Sequence, residues 1–298
     1  MRVFLTGATG FIGTFLIPEL INAGHHVVGL SRSSEGAEAL ARAGAEVCRG
    51  DVNDMNLLRT MVEAADGVVH AAFNHDSSNI RESSEGDRHV IATLGEALAG
   101  SDRPLVISSG TGLARSKTGE PAVETDDHVT SAEFPRAASE EAADDLIAKG
   151  LRVMVMRLSQ VHDTRRQGRI TWHIQTARQQ GRVAYVGEGK NRVAAVHVSD
   201  AVRLYRLALE NGQAGARYHA VGETGVALRD IAETIGAGLK LSVESIKPEQ
   251  APAYFGWMAQ LAALDLAASS VLTRQQLGWT PAGPDLLTDL RNMDYSLR

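Results

Sequence analysis

The sequence predicts an α/β fold: a doubly wound parallel sheet through the first half of the chain, then a smaller, interleaved C-terminal α/β lobe. Three observations carry that expectation. Short apolar runs rich in Val, Ile and Leu alternate with longer amphipathic stretches up to residue 158. A glycine-rich turn follows the first of these runs directly. Beyond residue 158 the alternation becomes irregular, beginning with the polar stretch 160–168.

Taken in order, strands are expected over 2–6, 26–31, 46–49, 67–72, 104–109 and 152–158, each short and bounded by turn residues. Helical spacing of apolar residues falls between them, over 12–23, 36–43, 55–64, 80–99 and 135–149. Such alternation gives parallel neighbours joined by right-handed crossovers. A helix over 170–180 follows, then a strand over 193–198 running into a helix over 199–210. Residues 217–221 read as one more strand of the main sheet, while 226–238, 242–246 and the remainder read as the smaller lobe. The first domain therefore covers 1–165, with its sheet completed from about 190–222, and 166–298 is mainly the second lobe.

With 44% hydrophobic and 22% charged residues, the 298-residue chain has the composition of a folded globular protein. Thirty basic residues against thirty-six acidic ones give a net charge of −6, the wrong sign for a general binder of nucleic acid or anionic membrane, so a small molecule is the expected partner. A single cysteine, Cys48, excludes an intramolecular disulfide, and the histidines show no HExxH spacing, so no metal is expected. The glycine turn comes too early for a signal-peptide apolar region, and no apolar run reaches bilayer length. A cytoplasmic protein is expected.

RVFLT runs straight into GATGFIG, placing Gly7, Gly10 and Gly13 at GxxGxxG spacing before a helix. The first glycine permits a tight turn, the second lets backbone N–H groups approach a pyrophosphate, and the third allows close helix–strand packing. The helix N-terminus adds partial positive charge. The complete βαβ context makes this a dinucleotide site on a Rossmann-type sheet, with Thr9, Phe11 and Ile12 of the same turn beside the ligand. Where an NAD-preferring chain usually presents Asp or Glu, this one presents Ser31, Arg32 and Ser33. A guanidinium flanked by hydroxyls suits a 2′-phosphate, so NADP(H) is expected in preference to NAD(H). Asp51, in GDVND, is placed to accept the adenine amino group with Val52 against the ring; alternatively Asp51 or Asn53 caps the helix from Met55. Ala71, Ala72 and Phe73 close the fourth strand, either letting the cofactor cross the strand ends or forming tight core.

TGATGFIG, GDVND, VVHAA, VISSG, RLSQVH and NRVAAVHVSDAVRLYRLALE together resemble the extended short-chain dehydrogenase/reductases, the NAD(P)-dependent epimerase/dehydratase-like proteins, over nearly the whole chain. Members that perform hydride chemistry use a tyrosine and, four residues on, a lysine, on the helix after the fifth strand. The resemblance places Arg136 where the tyrosine belongs and Glu140 where the lysine belongs, with Ser139 between them. It implies an atypical member that keeps dinucleotide binding and lacks the Tyr-x-x-x-Lys pair. The family's hydroxyl position falls on Ser109 or Thr111 of SSGTG.

Arg136 either orients a substrate carbonyl or carboxylate, or pairs with Glu140 across one helical turn. The resemblance puts His162 beside the nicotinamide, and a histidine titrates in the useful range. Tyr254 offers a spare acidic hydroxyl in the cluster with Phe255 and Trp257, which themselves read as lobe core. Asn191 and Arg192 are candidate substrate contacts, His197 reads as strand packing, and His75 and Asp76 face the cleft or form a turn.

The implied function is NADP(H)-dependent reduction of a small carbonyl-type organic substrate through a non-standard active site, with Ser109, Thr111, Arg136, His162 and Tyr254 as catalytic candidates and the C-terminal lobe holding substrate. A catalytically silent NADP(H)-binding sensor is the alternative, and a non-redox lyase or isomerase a third. Helices 80–99 and 135–149 match those that form a four-helix dimer seam in many relatives, implying a homodimer. Val90, Leu94 and Ala97 either line that seam or face the sheet.

Overall fold

Alternating strands and helices build the first half of the computed structural model, which describes residues 1–74 and 79–296. In chain order these are β1 (Arg2–Thr6), α1 (Phe11–Asn22), β2 (His26–Ser31), α2 (Ser34–Arg42), β3 (Glu46–Arg49), α3 (Met55–Glu63), β4 (Gly67–His70), α4 (Ile80–Glu96), β5 (Leu105–Gly110), α5 (Ala138–Ala148) and β6 (Val153–Leu158). The second half supplies β7 (Gln160–His162), α6 (Ile170–Gln180), β8 (Val183–Val186), β9 (Arg192–His197), α7 (Val198–Asn211), β10 (Arg217–Ala220), β11 (Glu223–Ala227), α8 (Leu228–Leu239) and β12 (Val243–Ile246). Short helices, among them Ala251–Phe255 and Leu286–Asn292, complete it.

The main sheet has seven strands in the order β10-β6-β5-β4-β1-β2-β3, all parallel. Successive strand residues divide between its faces. Val3 and Leu5 pack with Leu16, Ile17 and Leu20 of α1 and with Val202 and Tyr205 of α7. Phe4 points the other way, into Leu58, Val90, Leu94 and Leu146 of α3, α4 and α5. Strand order reverses between β1 and β4, so a crevice opens there outside the carboxyl ends of the strands. The second lobe holds a β11-β9-β7 sheet and a β12-β8 pair around a separate core that includes Ile174, Val183, Ile231 and Leu290. The lobes interleave because β10 returns to the main sheet after β9 has been laid down in the smaller one.

Several expectations need correction. The polar stretch from residue 160 begins with a buried strand, β7, whose polar side chains are anchored internally by one nitrogen each: Gln160 donates to the Gln167 carbonyl, and His162 Nδ1 lies 2.7 Å from Asp289 Oδ2, while Gln160 Oε1 and His162 Nε2 meet no partner among the described residues. β8, unforeseen in the sequence, has only four residues, too few for periodicity to register. The helix expected from 135 opens as a single 3-10 turn, Pro135–Ala137, with proline at its start. Asp54, rather than Asp51 or Asn53, caps α3, accepting from the Leu57 N–H at 3.0 Å. Val90 and Leu94 are buried against their own sheet, with Ala97 partly buried beside them, so this apolar stripe is consumed within one chain. Trp257 stands outside the lobe core, 55% exposed and edge-on to Trp172, whereas Phe255 is buried. Among the described residues no helix is long and apolar enough to cross a membrane.

α4 and α5 approach closely because Gly95 leaves room for the Leu146 side chain, and a Cβ at Gly95 would enter the Leu146 isobutyl group. Gly95→Ala is expected to lower the unfolding free energy by about 1–3 kcal/mol through overpacking. In a Leu146→Ala background the same change should cost only about 0.5 kcal/mol or less, because the obstructing group is gone. A double-mutant cycle by urea denaturation measures both.

Candidate functional site

Gly7 adopts φ +68°, and a Cβ there would lie 2.5 Å from the Ala71 carbonyl carbon, so the turn after β1 and the end of β4 touch only because position 7 has no side chain. Gly13 is equally constrained: a Cβ would run into the Gly7 carbonyl and the Ala8 backbone. α1 starts at Gly10 with no side chain capping its first turn and no acidic residue in that turn. The start of the helix is thus an uncapped donor surface, suited to a pyrophosphate. Thr9, Phe11 and Ile12 frame it.

At the end of β2, Ser31 is buried and donates to the Ser33 carbonyl, while the Ser33 side chain accepts from the Gly36 N–H at 3.0 Å as the cap of α2. Arg32 is 77% exposed in its side chain and 3.6 Å from Asp51 Oδ2. Asp51 accepts from the Asn53 N–H at 2.9 Å, and Val52 packs partly against the sheet core. Ala71, Ala72 and Phe73 lie partly buried at the crevice. Two glycines that admit no side chain, an uncapped helix start and an exposed guanidinium fit a nicotinamide dinucleotide.

Arg136 and Glu140 do not pair with each other, because each has closer partners elsewhere. Glu140 is fully buried and bidentate to Arg157, with Nη2 at 2.8 Å and Nε at 2.9 Å; Arg217 Nε lies at 3.1 Å, and the Ser109 hydroxyl donates at 2.6 Å. Arg136 instead donates to Asp87 Oδ2 at 3.1 Å, to Ser139, and to the Ser108 carbonyl at 2.8 Å, with its guanidinium 3.9 Å from the Phe73 ring centroid. Asp87 also takes His70 at 2.8 Å, and His70 reaches Thr6 at 2.7 Å. Burial pushes both carboxyls up, but the guanidinium partners and, at Asp87, His70 outweigh it, so Asp87 and Glu140 stay below their ordinary values.

The other candidates are placed as follows. Ser109 is buried against Glu140, and Thr111 is buried with its hydroxyl 3.5 Å from the Leu158 carbonyl. His162 is fully buried on β7; burial lowers its pKa against the opposing pull of Asp289, and Nε2 has no partner among the described residues. Tyr254 is buried in the second lobe, donating to the Arg182 carbonyl at 2.7 Å and accepting from the Ala184 N–H at 3.2 Å; burial raises its pKa. The site therefore brings together Ser109, Thr111 and Arg136 around β5 and α5, and leaves His162 and Tyr254 in internal bonds of the other lobe. Asn191 holds the Ala262 carbonyl and Arg192 is paired with Asp265. His197 caps α7 at Ser199. His75 and Asp76 lie outside the described residues.

Sequence reasoning missed His70, Asp87, Arg157 and Arg217. The available signal was the intrusion of His and Arg into strand segments that read as buried, VVH at β4, VMR at β6 and RYH at β10, since a charge at such positions requires a partner.

A family model for the NAD dependent epimerase/dehydratase family matches residues 3–221. The chain is 39% identical over 296 residues to the uncharacterized protein C2A9.02 of Schizosaccharomyces pombe, covering 99% of this chain and 100% of that one. It is 38% identical to the uncharacterized protein YLL056C of Saccharomyces cerevisiae, covering both chains fully. In structure it resembles DesIV, a dTDP-glucose 4,6-dehydratase from Streptomyces venezuelae solved with NAD and TYD bound, at a TM-score of 0.78 and 20% identity over 98% of this chain and 96% of that one.

Two predictions concern the buried charges. Glu140→Gln leaves Arg157 without its anion and is expected to cost about 3–5 kcal/mol at pH 7. Because the folded-state pKa is depressed, this contribution is complete above the ordinary value of 4.5 and fades as pH falls below it, so variant and parent should converge in acid. His173 is pushed by burial from 6.5 to about 4, so the folded state rejects a proton that the unfolded chain accepts. Stability should therefore fall by about 3 kcal/mol for this group between pH 6.5 and 4, a loss that His173→Gln removes. Urea unfolding across pH measures both.

Proposed function

The chain belongs to the NAD dependent epimerase/dehydratase family, and from that premise we propose that it is an NADP(H)-dependent reductase of a small carbonyl-type substrate, in which Arg136 rather than a tyrosine meets the reacting oxygen. One observation carries this. Of the five N–H donors of Arg136, three are spent on Asp87, Ser139 and the Ser108 carbonyl, which fix the guanidinium against Phe73. Nε–H and one Nη2–H make no bond to the described residues, and the side chain keeps 15% of its surface open.

When bound, the dinucleotide supplies the hydride. Gly7, Gly10, Gly13 and the start of α1 would hold its pyrophosphate, and Arg32, with the Ser33 hydroxyl, a 2′-phosphate, the buried Ser31 hydroxyl being already spent on the Ser33 carbonyl. Arg136 stays charged throughout, so it stabilises negative charge that develops on the substrate oxygen but gives up no proton. The proton comes from water. Asp87 keeps the guanidinium oriented, and Ser108, bonded to Tyr205 at 2.6 Å, fixes the strand that carries its carbonyl acceptor. The NAD in the structurally similar dTDP-glucose 4,6-dehydratase supports the choice of ligand class.

The silent-sensor reading draws on a different observation: Ser109 and Glu140 are bonded to each other, which withdraws both from chemistry. Incubation with 4-deuterated NADPH and a panel of aldehydes, ketones, imines and activated alkenes decides between them. Deuterium is expected in a product, and Arg136→Gln should slow its transfer by about 100- to 1000-fold while changing the NADPH Kd by less than about threefold. NADPH binding with no label in any product, and no effect of Arg136→Gln, would overturn the reductase in favour of the sensor. Separately, Arg32→Ala should weaken NADPH binding by about tenfold and leave NADH unchanged.

A further inference from the structure

Residues 164–182 carry five arginines and no acidic residue, in a chain where acids outnumber bases. The loop that opens this stretch follows β7 and is built on Asp163. The Asp163 carboxylate accepts from the Arg165 N–H at 2.6 Å and the Arg166 N–H at 2.5 Å, and the Asp163 N–H donates to the Arg166 carbonyl at 2.9 Å. The acid nearest to these two arginines in sequence is therefore spent on their backbone. Arg2, Arg115 and Arg192 each hold a carboxylate, whereas Arg165 and Arg166 are exposed and form no ion pair among the described residues. Arg166 nonetheless has a defined place, with its guanidinium carbon 5.7 Å from the centroid of the Phe11 ring. That ring is itself held, packed against the core beside α1 and edge-on to Phe15 at 5.9 Å. Phe11 is the first residue of α1, next to Gly10, in the turn that has neither a side-chain cap nor an acid. A loop attached to the second lobe's sheet thus brings a permanent cation to the dinucleotide turn of the first.

A pyrophosphate diester carries about two negative charges, and the start of a helix supplies only about half of one positive charge. A guanidinium supplies a whole charge, with forked donors that suit phosphate oxygens. One drawn to an aromatic ring also keeps its N–H donors free, unlike one bound to a carboxylate. We propose that Arg166 is a pyrophosphate-binding residue, reaching the dinucleotide from the second-lobe side, so that both lobes complete the phosphate site. Arg166 would then serve any nicotinamide dinucleotide, and Arg32 only one with a 2′-phosphate. The assignment rests on dinucleotide binding at the glycine turn and not on the reduction proposed above.

The test is titration calorimetry with ADP-ribose, which has the pyrophosphate and no nicotinamide, with 2′-AMP, which has the 2′-phosphate and no pyrophosphate, and with NADPH. Arg166→Ala is expected to weaken ADP-ribose and NADPH by about tenfold and to leave 2′-AMP within about twofold of the parent. The unchanged 2′-AMP affinity also shows that the variant is folded at the nucleotide site. Arg166→Lys should recover part of the loss. Arg165→Ala removes an equal charge one residue away and should change ADP-ribose affinity by less than about twofold, which separates a placed contact from the general field of the loop. Arg32→Ala should give the complementary result, weaker 2′-AMP with ADP-ribose unchanged. Undiminished ADP-ribose affinity in Arg166→Ala, an equal loss in Arg165→Ala, a parallel loss for 2′-AMP, or no ADP-ribose binding by the parent would overturn the proposal. The expected affinity losses without deuterium transfer from NADPH would sustain this contact and sink the reductase. Deuterium transfer with undiminished ADP-ribose affinity in Arg166→Ala would do the reverse.

Discussion

Glu140 carries a negative charge to a place that water does not reach, and four elements are arranged so that it can stay there. α5 supplies the carboxylate, β5 the Ser109 hydroxyl, β6 Arg157 and β10 Arg217. An isolated carboxylate at such depth would cost several kcal/mol, a large share of a typical fold's stability, so these partners are needed to keep it charged. The edge strand β10 is tied into the sheet through this same cluster, since Arg217 also reaches Asp144 of α5, and Asp144 is 2.9 Å from His128. What looks like a substitution at one helical position is therefore a commitment of the sheet's β10 edge.

One turn earlier on the same helix the sign is reversed. Arg136 stands over Phe73 and is balanced by Asp87 of α4, which in turn holds His70 at the end of β4. Ser139 belongs to the Arg136–Asp87 cluster and Ser109 to that of Glu140, and among the described residues no ion pair crosses between the two. Local helix rules favour pairing opposite charges one turn apart, with a gain of only about 0.2–0.5 kcal/mol. The buried partners offer more, because breaking a desolvated ion pair costs about 3–5 kcal/mol. That difference explains why the nearest opposite charge in sequence is not the partner in space.

The same comparison shows which parts of the molecule were legible in the sequence. The turn after β1, the succession of strands and helices along the first half and the helix that follows the glycines are written within a few neighbouring residues, so spacing alone reveals them. The clusters are not: Glu140 meets Arg157 across 17 residues and Arg217 across 77, and Arg136 meets Asp87 across 49. No local period encodes such pairs. His162 read as a catalytic candidate because the resemblance puts its segment beside the nicotinamide, yet Asp289, 127 residues away, draws it into the other lobe. Tyr254 met the same fate through the β8 backbone, a strand too short to foresee. Trp257 failed in the opposite sense, since apolar character alone does not guarantee burial when a second tryptophan covers one edge.

Placing a permanent cation where an acid is expected changes what can limit chemistry at this crevice. A hydroxyl acid contributes about 100- to 10,000-fold by delivering a proton in the transition state. One well-aimed charged donor contributes about 100- to 1000-fold by stabilising developing negative charge, so most of the electrostatic benefit survives the exchange. Proton delivery does not survive it. In the proposed reduction water would then have to reach the reacting oxygen, and an Arg136 side chain with 15% of its surface open, fixed on one side by Asp87 and Phe73, leaves that route available while holding the charge still. Rigidity matters here because an arginine free to swing would lose its positional advantage to side-chain entropy. On the proposed reductase reading, the buried carboxylate of Asp87 is thus as much a part of the site's chemistry as the guanidinium that it anchors.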